Sequence, residues 1–242
     1  MPTLALRNPF HGLVSLFYPA ACAVCCSPIE LGENLCPDCA AKALRISAPF
    51  CAKCSEPFFG EIIGPFQCAN CEGRTLHFDA AVSAYRSRNV VRKVIHDFKY
   101  GRQIHLRRVV GQWLLQAWSD PRLARGKFHL IVPVPLHPAR KRERGFNQAE
   151  LLGLELQRAS GIRCRSLLQR IRYTTTQTQF DRSERMENLR GAFRLRPRSH
   201  VRGLRMLLVD DVLTTGSTLS ECASVLKAAG AVSVYAVTAA RG

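Results

Sequence analysis

The chain predicts an α/β fold on a mainly parallel sheet, preceded by a small cysteine-rich module, and three observations carry that prediction. Short apolar runs at Phe78–Tyr85, Leu130–Val134, Met206–Val209 and Val232–Thr238 alternate with segments whose apolar residues recur at helical spacing. This alternation is typical of a sheet covered by helices on both faces. Nine of the eleven cysteines fall between Cys22 and Cys71, so the chain changes character near residue 77. A length of 242 residues with 47% hydrophobic side chains is enough for one full α/β core and a small appendage. The expected division is an N-terminal segment with the cysteine module at 1–77 and the α/β domain at 78–242.

From the N-terminus, the first run to explain is Leu13–Ala23, which is apolar and ends in a PAACA sequence like that of a weak signal-cleavage site. Pro19 interrupts it, and cleavage there would cut into the cysteine cluster that begins at Cys22, so an amphipathic opening helix is expected instead. No apolar run approaches the ~20 residues that a membrane span needs.

Eight of the clustered cysteines form four C-x-x-C pairs: Cys22/Cys25, Cys36/Cys39, Cys51/Cys54 and Cys68/Cys71. Two thiolates three residues apart grip one Zn²⁺ within a tight turn, so two pairs complete a closed tetrahedral Cys₄ site. Two successive zinc ribbons follow from the spacing. A disulfide framework is the rival, and the lack of a secretory signal argues against it. Sequential pairing closes shorter loops than interleaved pairing and is preferred on that ground. Cys26 could replace Cys25 as a ligand, but its x₃ spacing from Cys22 is the less common choice, so Cys25 is the expected ligand. A Cys₄ shell has no open position for water, so both sites read as structural. Cys164 and Cys222 stand alone among apolar residues and read as small buried hydrophobes.

Beyond the module, Phe78–Tyr85 reads as a strand and Val90–Trp118 as helical material broken near Tyr100–Gly101. Leu130–Val134 is the next strand. The loop after it, PLHPARKRERGFNQ, offers Arg140, Lys141, Arg142 and Arg144 to an anion, although a solvated basic loop reads the same way. Asn147 and Glu150 have capping-box spacing ahead of Leu151, Leu152 and Leu156, so a helix starts there. Leu167 and Leu168 lie in a further candidate strand. Arg170–Phe193 is rich in Thr, Gln and Arg, as expected of a lid or a plain surface loop.

The segment MLLVDDVLTTGSTL, Met206–Leu219, joins a buried strand to a hydroxyl-rich turn and a helix. Thr214, Thr215, Gly216, Ser217 and Thr218 place backbone N–H groups and hydroxyls at a helix N-terminus, where the dipole favours an anion such as phosphate. Val212 and Leu213 connect that turn to Asp210 and Asp211, carboxylates able to accept hydrogen bonds from vicinal sugar hydroxyls and to approach a divalent cation. A ribose 5-phosphate meets both demands. The plainer reading is an ordinary turn with Thr215 or Ser217 as N-cap and solvated acids.

Charge separates the two parts. The net +17 divides into −1 for residues 1–78 and +18 for residues 79–242. Most of the excess is arginine, clustered at Arg102–Arg108, Arg140–Arg144, Arg163–Arg172 and Arg194–Arg205. A nucleic acid is the polyanion to suspect, against generally solvated surface arginines.

The apolar strand, acid pair and T-G-S turn resemble the signature with which type I phosphoribosyltransferases bind phosphoribosyl pyrophosphate (PRPP). The likeness extends along the chain through the C-x-x-C pairs, VRKVIHDFKYGRQ around Lys99, PVPLHPARKRERGFNQAELL, the segment ending NLRGAF, and VDDVLTTGSTL. In that order these motifs resemble the ComF/ComFC family, a double zinc ribbon fused to a type I phosphoribosyltransferase domain of Rossmann-like kind. That resemblance implies a cytoplasmic protein with two structural Zn²⁺ and a PRPP·Mg²⁺ site at Asp210, Asp211 and 214–218. Lys99 and the arginine-rich loop would hold the pyrophosphate. It also implies handling of incoming single-stranded DNA during natural transformation, with DNA-uptake or recombination proteins as partners. Two alternatives stay open: a phosphoribosyltransferase of nucleotide metabolism with no DNA role, and an inactive PRPP-sensing nucleic-acid-binding protein. No acceptor is legible, and with Met1 heading an apolar segment no N-terminal cysteine nucleophile for glutamine is expected in this chain.

Overall fold

The computed structural model describes residues 20–62, 64, 66–101, 103–124, 126–173 and 189–242. Residues 1–19, which hold most of the expected opening helix, and 174–188, the middle of the Thr- and Gln-rich segment, lie outside the described residues. Residues 20–23 are not helical, and Ala21 forms an isolated bridge with Pro28.

The main sheet contains β1 (Ala81–Arg86), β2 (Leu130–Pro133), β5 (Arg205–Leu213) and β6 (Ser233–Arg241), in the order β1-β6-β5-β2 and all parallel. Parallel strands need crossovers, which here are helices. α2 (Asn89–Tyr100) and α3 (Arg107–Trp118) follow β1, α6 (Gln148–Ser160) follows β2, and α7 (Ser217–Ala228) joins β5 to β6. Short helices α1 (Pro37–Ala41), α4 (Pro121–Ala124) and α5 (Pro138–Arg144) lie in the connections.

Each crossover helix buries an apolar stripe. In α2, Val90, Val91, Val94, Ile95 and Phe98 recur at helical spacing and are buried, and the helix stops at Gly101. In α3 the stripe is Val109, Val110, Trp113, Leu114 and Ala117. The side chain of Asn147 caps α6 by accepting from the Ala149 N–H at 3.1 Å. Glu150 does not complete a capping box; its carboxylate instead pairs with Lys141 at 2.8 Å.

The two faces of the sheet feed two cores. Leu207 and Val209 of β5 pack with α2, α3 and α6, and Met206 and Leu208 pack on the α7 side. This is the period-2 alternation of a strand covered on both faces. All four side chains are fully buried.

Strand bounds and pairing depart from expectation: β1 starts at Ala81 rather than Phe78, and β6 runs from Ser233 to Arg241 rather than from Val232 to Thr238. β5 runs on to Leu213, four residues past the apolar run, because Asp210, Val212 and Leu213 still pair with Thr238, Ala240 and Arg241 of β6. Leu167–Leu168 leads not into the main sheet but into β3 (Leu168–Arg170), which pairs antiparallel with β4 (Phe193–Leu195) as a separate ribbon.

The cysteine module packs directly on the sheet edge. Leu44–Ile46 lies along the free edge of β1, with Ile46 N–H donating to the Ala84 carbonyl and Arg86 N–H to that of Leu44, both at 2.8 Å. An exposed sheet edge is thereby covered. Cys22, Cys36 and Cys39 belong to the α2–α3 core, and Cys51, Cys54, Cys68 and Cys71 to the α7 core. No helix among the described residues is long and apolar enough to cross a membrane.

Candidate functional site

Two thiol clusters form. The Sγ atoms of Cys22, Cys25, Cys36 and Cys39 lie within 4.8 Å of one another, as do those of Cys51, Cys54, Cys68 and Cys71. The Cys25–Cys36 and Cys54–Cys68 sulfur separations are 3.6 and 3.5 Å. A Zn–S bond of ~2.3 Å requires a tetrahedral edge of ~3.8 Å, so the donor geometry fits zinc. The pairing is sequential, and every cysteine is a free thiol. Cys26 stands outside both quartets, exposed at φ +61°. The two Cys₄ sites are structural zinc sites. As expected, Cys222 is buried, whereas Cys164 is only half-buried, against Gly153.

Near the carboxyl end of β5 the two acids lie close enough for their side chains to interact, and both act on Lys99. Asp211, 2% exposed, faces α2, where Lys99 Nζ lies 2.6 Å from its Oδ2. Burial alone would lower the Lys99 pKa, but the charges of Asp211 and Asp210 outweigh it and raise it. Asp210 lies toward α7, where its charge is felt by Cys222 and Arg170. Burial, helped by the neighbouring Asp211 charge, pushes the Asp210 carboxyl up to about 8.

The turn that follows is shaped by one glycine. Gly216, not Thr215 or Ser217, is the N-cap of α7, at φ +79°. A Cβ there would sit in the left-handed region and 3.4 Å from the Phe78 ring. Thr215 Oγ1 and Ser217 Oγ are 2.9 Å apart, and the first helical N–H to find a carbonyl is that of Ser220, donating to Gly216 at 2.8 Å. Of the earlier N–H groups, that of Ser217 donates back to Thr215 Oγ1 at 3.4 Å, and Thr214 is exposed and Thr218 half-buried beside the helix end. Leu213 is buried and Val212 packs against the core, so these two residues space the acids from the turn rather than contact solvent freely.

The basic loop of the sequence is in fact helix α5. Pro138 occupies its first turn, His137 caps it, and Gly145 ends it at φ +84°. Lys141 pairs with Glu150, and Arg144 donates to Gln148 Oε1 at 2.6 Å and stacks over Tyr100. Arg140 stacks over Tyr173. Lys141 and Arg142 join Arg170 and Arg196 around a cleft of about 640 Å³. Three of the four arginine clusters thus converge on one cleft, because β3 and β4 pair Gln169 with Arg194. In the fourth, Arg107 lies 3.8 Å from Glu155.

Sequence reasoning missed three residues here. Arg170 was legible only as part of a basic run, yet burial and the Arg140 charge hold its pKa below the usual arginine range, with Asp210 acting in the opposite sense. Asn70 and Arg74, from the last cysteine knuckle, reach the turn across more than 140 residues of chain, a contact no local pattern signals.

Known proteins agree with this architecture. Residues 13–72 match the double zinc ribbon domain and residues 150–242 the phosphoribosyl transferase domain. The DNA utilization protein YhgH of Salmonella typhimurium is 33% identical over 223 residues, 90% of this chain and 96% of that protein. Competence protein F of Haemophilus influenzae is 31% identical over 221 residues, 88% and 93% of the two chains. Competence protein ComFC of Bacillus subtilis is 28% identical over 216 residues, 86% and 85%. With two Cys₄ ribbons packed on a phosphoribosyltransferase-type parallel sheet, and relatives of this identity along nearly its whole length, the chain belongs to the ComF/ComFC family.

Proposed function

We propose that this chain binds PRPP with Mg²⁺ at the β5–α7 junction and transfers its phosphoribosyl group to an acceptor nucleophile, in a cytoplasmic role in handling single-stranded DNA. The observation that carries this reading is one strand end delivering two acids, with Lys99 2.6 Å from Asp211, two residues ahead of an anion-binding turn. Asp210 and Asp211 would orient the ribose hydroxyls, and the N–H and hydroxyl groups of Thr214–Thr218 would anchor the 5-phosphate. Lys99 and the α5 side chains Arg140, Lys141, Arg142 and Arg144 would face the pyrophosphate. Mg²⁺, when bound, supplies charge neutralisation for the leaving pyrophosphate. The C1–O bond to pyrophosphate breaks while the acceptor's lone pair forms the new bond to C1, and the acceptor proton passes to solvent. The chain's part is positioning and electrostatic stabilisation.

The printed names of the relatives, DNA utilization protein and competence protein, extend the reading to DNA uptake, with DNA-uptake or recombination proteins as partners. The cleft lined by Lys141, Arg142, Arg170 and Arg196 supports it, since a chain of net +17 that gathers arginines in one groove suits a phosphate backbone. Titration with PRPP·Mg²⁺ and with single-stranded DNA, separately and together, tests both halves. Binding of each, with DNA affinity falling steeply with salt, is the expected result. PRPP binding without DNA binding at about 50 mM salt would leave a metabolic phosphoribosyltransferase.

A further inference from the structure

The second zinc ribbon does more than pack beside the turn. The guanidinium of Arg74, three residues past Cys71, donates through Nη1 to the Thr215 carbonyl at 3.1 Å and through Nη2 to Ser217 Oγ at 3.3 Å. The same Nη1 is held by the Asn70 carbonyl at 2.9 Å and Asn70 Oδ1 at 2.8 Å. Asn70 lies inside the Cys68–Cys71 knuckle, and its Nδ2 also donates to the Thr215 carbonyl at 3.3 Å. A few residues on, His77 N–H donates to Ser220 Oγ at 3.0 Å, and the Phe78 ring closes over Gly216. On another side, Arg241 Nη2 lies 3.9 Å from Cys54 Sγ while its Nη1 donates to the Leu213 carbonyl at 3.2 Å.

These contacts have one physical consequence. Thr215 and Ser217 are the residues whose hydroxyls and neighbouring N–H groups must be aimed at an anion, and a planar, fixed-fork cation secures both. The fork is itself positioned by backbone and side-chain oxygens of a knuckle whose conformation two zinc ligands set. The second Cys₄ centre is buried and would carry a formal charge of −2, so guanidinium groups beside it and beside the turn also offset that charge.

We propose that Arg74 and Asn70 are positioning residues for the phosphate turn, and that occupancy of the second zinc site and binding of a 5-phosphate at Thr214–Thr218 are thermodynamically coupled through them. The inference rests on the reading of that turn as a phosphate site. Coupling of this kind is reciprocal: zinc at Cys51, Cys54, Cys68 and Cys71 tightens the phosphate ligand, and the ligand retains that zinc. The first ribbon, whose cysteines pack toward α2, is not part of it.

The test uses the full, zinc-loaded chain and ribose 5-phosphate as probe, with affinity read by calorimetry and zinc release to a chromogenic chelator read over time. In the unaltered protein, ribose 5-phosphate should bind and should slow release of one of the two zinc ions while leaving the other unchanged. Arg74→Ala, still holding two zinc ions, should bind ribose 5-phosphate about tenfold or more weaker, as expected for losing a charge-assisted hydrogen-bonding group, and should lose the protection of zinc. Arg74→Lys keeps the charge but not the fork, and should lose most of the protection too, which covers the case of a poorly folded alanine variant. Failure of the unaltered protein to bind ribose 5-phosphate would sink both the site reading and this inference. Normal binding and protection in both variants, or equal protection of both zinc ions, would overturn the inference alone.

Discussion

Binding of PRPP·Mg²⁺ should expel a proton from Asp210. Burial and the adjacent Asp211 charge raise that carboxyl to about 8, with Lys99 opposing them. At pH 7 roughly nine in ten unligated molecules therefore carry the proton, one unit of difference being tenfold. A carboxylate that accepts ribose hydroxyls or approaches a divalent cation has to be ionised, so ligand binding is linked to proton release. About 0.9 proton should leave on binding at pH 7, and apparent affinity should rise roughly tenfold between pH 7 and 9, flattening above about 8. The ligand's phosphates, with second pKa values near ~6, contribute little over this range. Calorimetric titration in buffers of different ionisation enthalpy counts the protons directly. An affinity flat between pH 7 and 9, or release of only the ~0.1–0.2 proton that the ligand supplies, would refute the assignment of Asp210 as a half-buried, protonated ligand group. The same shift has a stability sign: the folded state holds this proton up to about 8 and an unfolded chain does not, so unligated protein loses stability as pH rises from the ordinary carboxylate range toward 8.

Lys99→Met should destabilise the fold as well as weaken binding. It strands Asp211, 2% exposed, without its partner at 2.6 Å. Breaking a buried pair costs ~3–5 kcal/mol, and the partial exposure of Lys99 places this one near ~3 kcal/mol, or roughly 6–12 °C in melting temperature for a chain of this size; a shift below about 2 °C would mean the pair is effectively solvated. Metal analysis should return about two zinc ions per chain, and their removal by a strong chelator should abolish the cooperative melt of the whole protein, since structural Zn²⁺ contributes ~10–16 kcal/mol per site. An unchanged melt of the sheet domain after zinc removal would show the ribbons to be mere appendages.

Much of this was legible from local pattern. Met206–Val209 and Leu130–Val134 are apolar without interruption because strands in a parallel sheet are covered on both faces, and C-x-x-C spacing encodes the knuckles directly. What escaped was what periodicity does not carry. α5 contains no buried residue, so apolar spacing was silent over Pro138–Arg144, although Pro in its first turn and Gly145 at its end were helix signals in plain view. β5 outruns its apolar stretch because β6 goes on supplying backbone partners to Asp210, Val212 and Leu213. Thr215 and Ser217 have the better capping side chains, yet the chain must reverse into α7 beneath Phe78, and only Gly216 takes φ +79° there without strain. The clamp of Asn70 and Arg74 on the turn, and the convergence of Arg142, Arg170 and Arg196 on one cleft, are tertiary: they exist only once the ribbon docks and β3 meets β4.

The proposed PRPP site at Asp210, Asp211 and the turn after them stands or falls on ligand binding. Calorimetric titration of PRPP·Mg²⁺ into the unaltered protein and into Asp210→Asn with Asp211→Asn measures it directly. Saturable, Mg²⁺-dependent binding that the double variant loses, while keeping two zinc ions and a cooperative melt, is the expected result; equal affinity in the two proteins would refute the site.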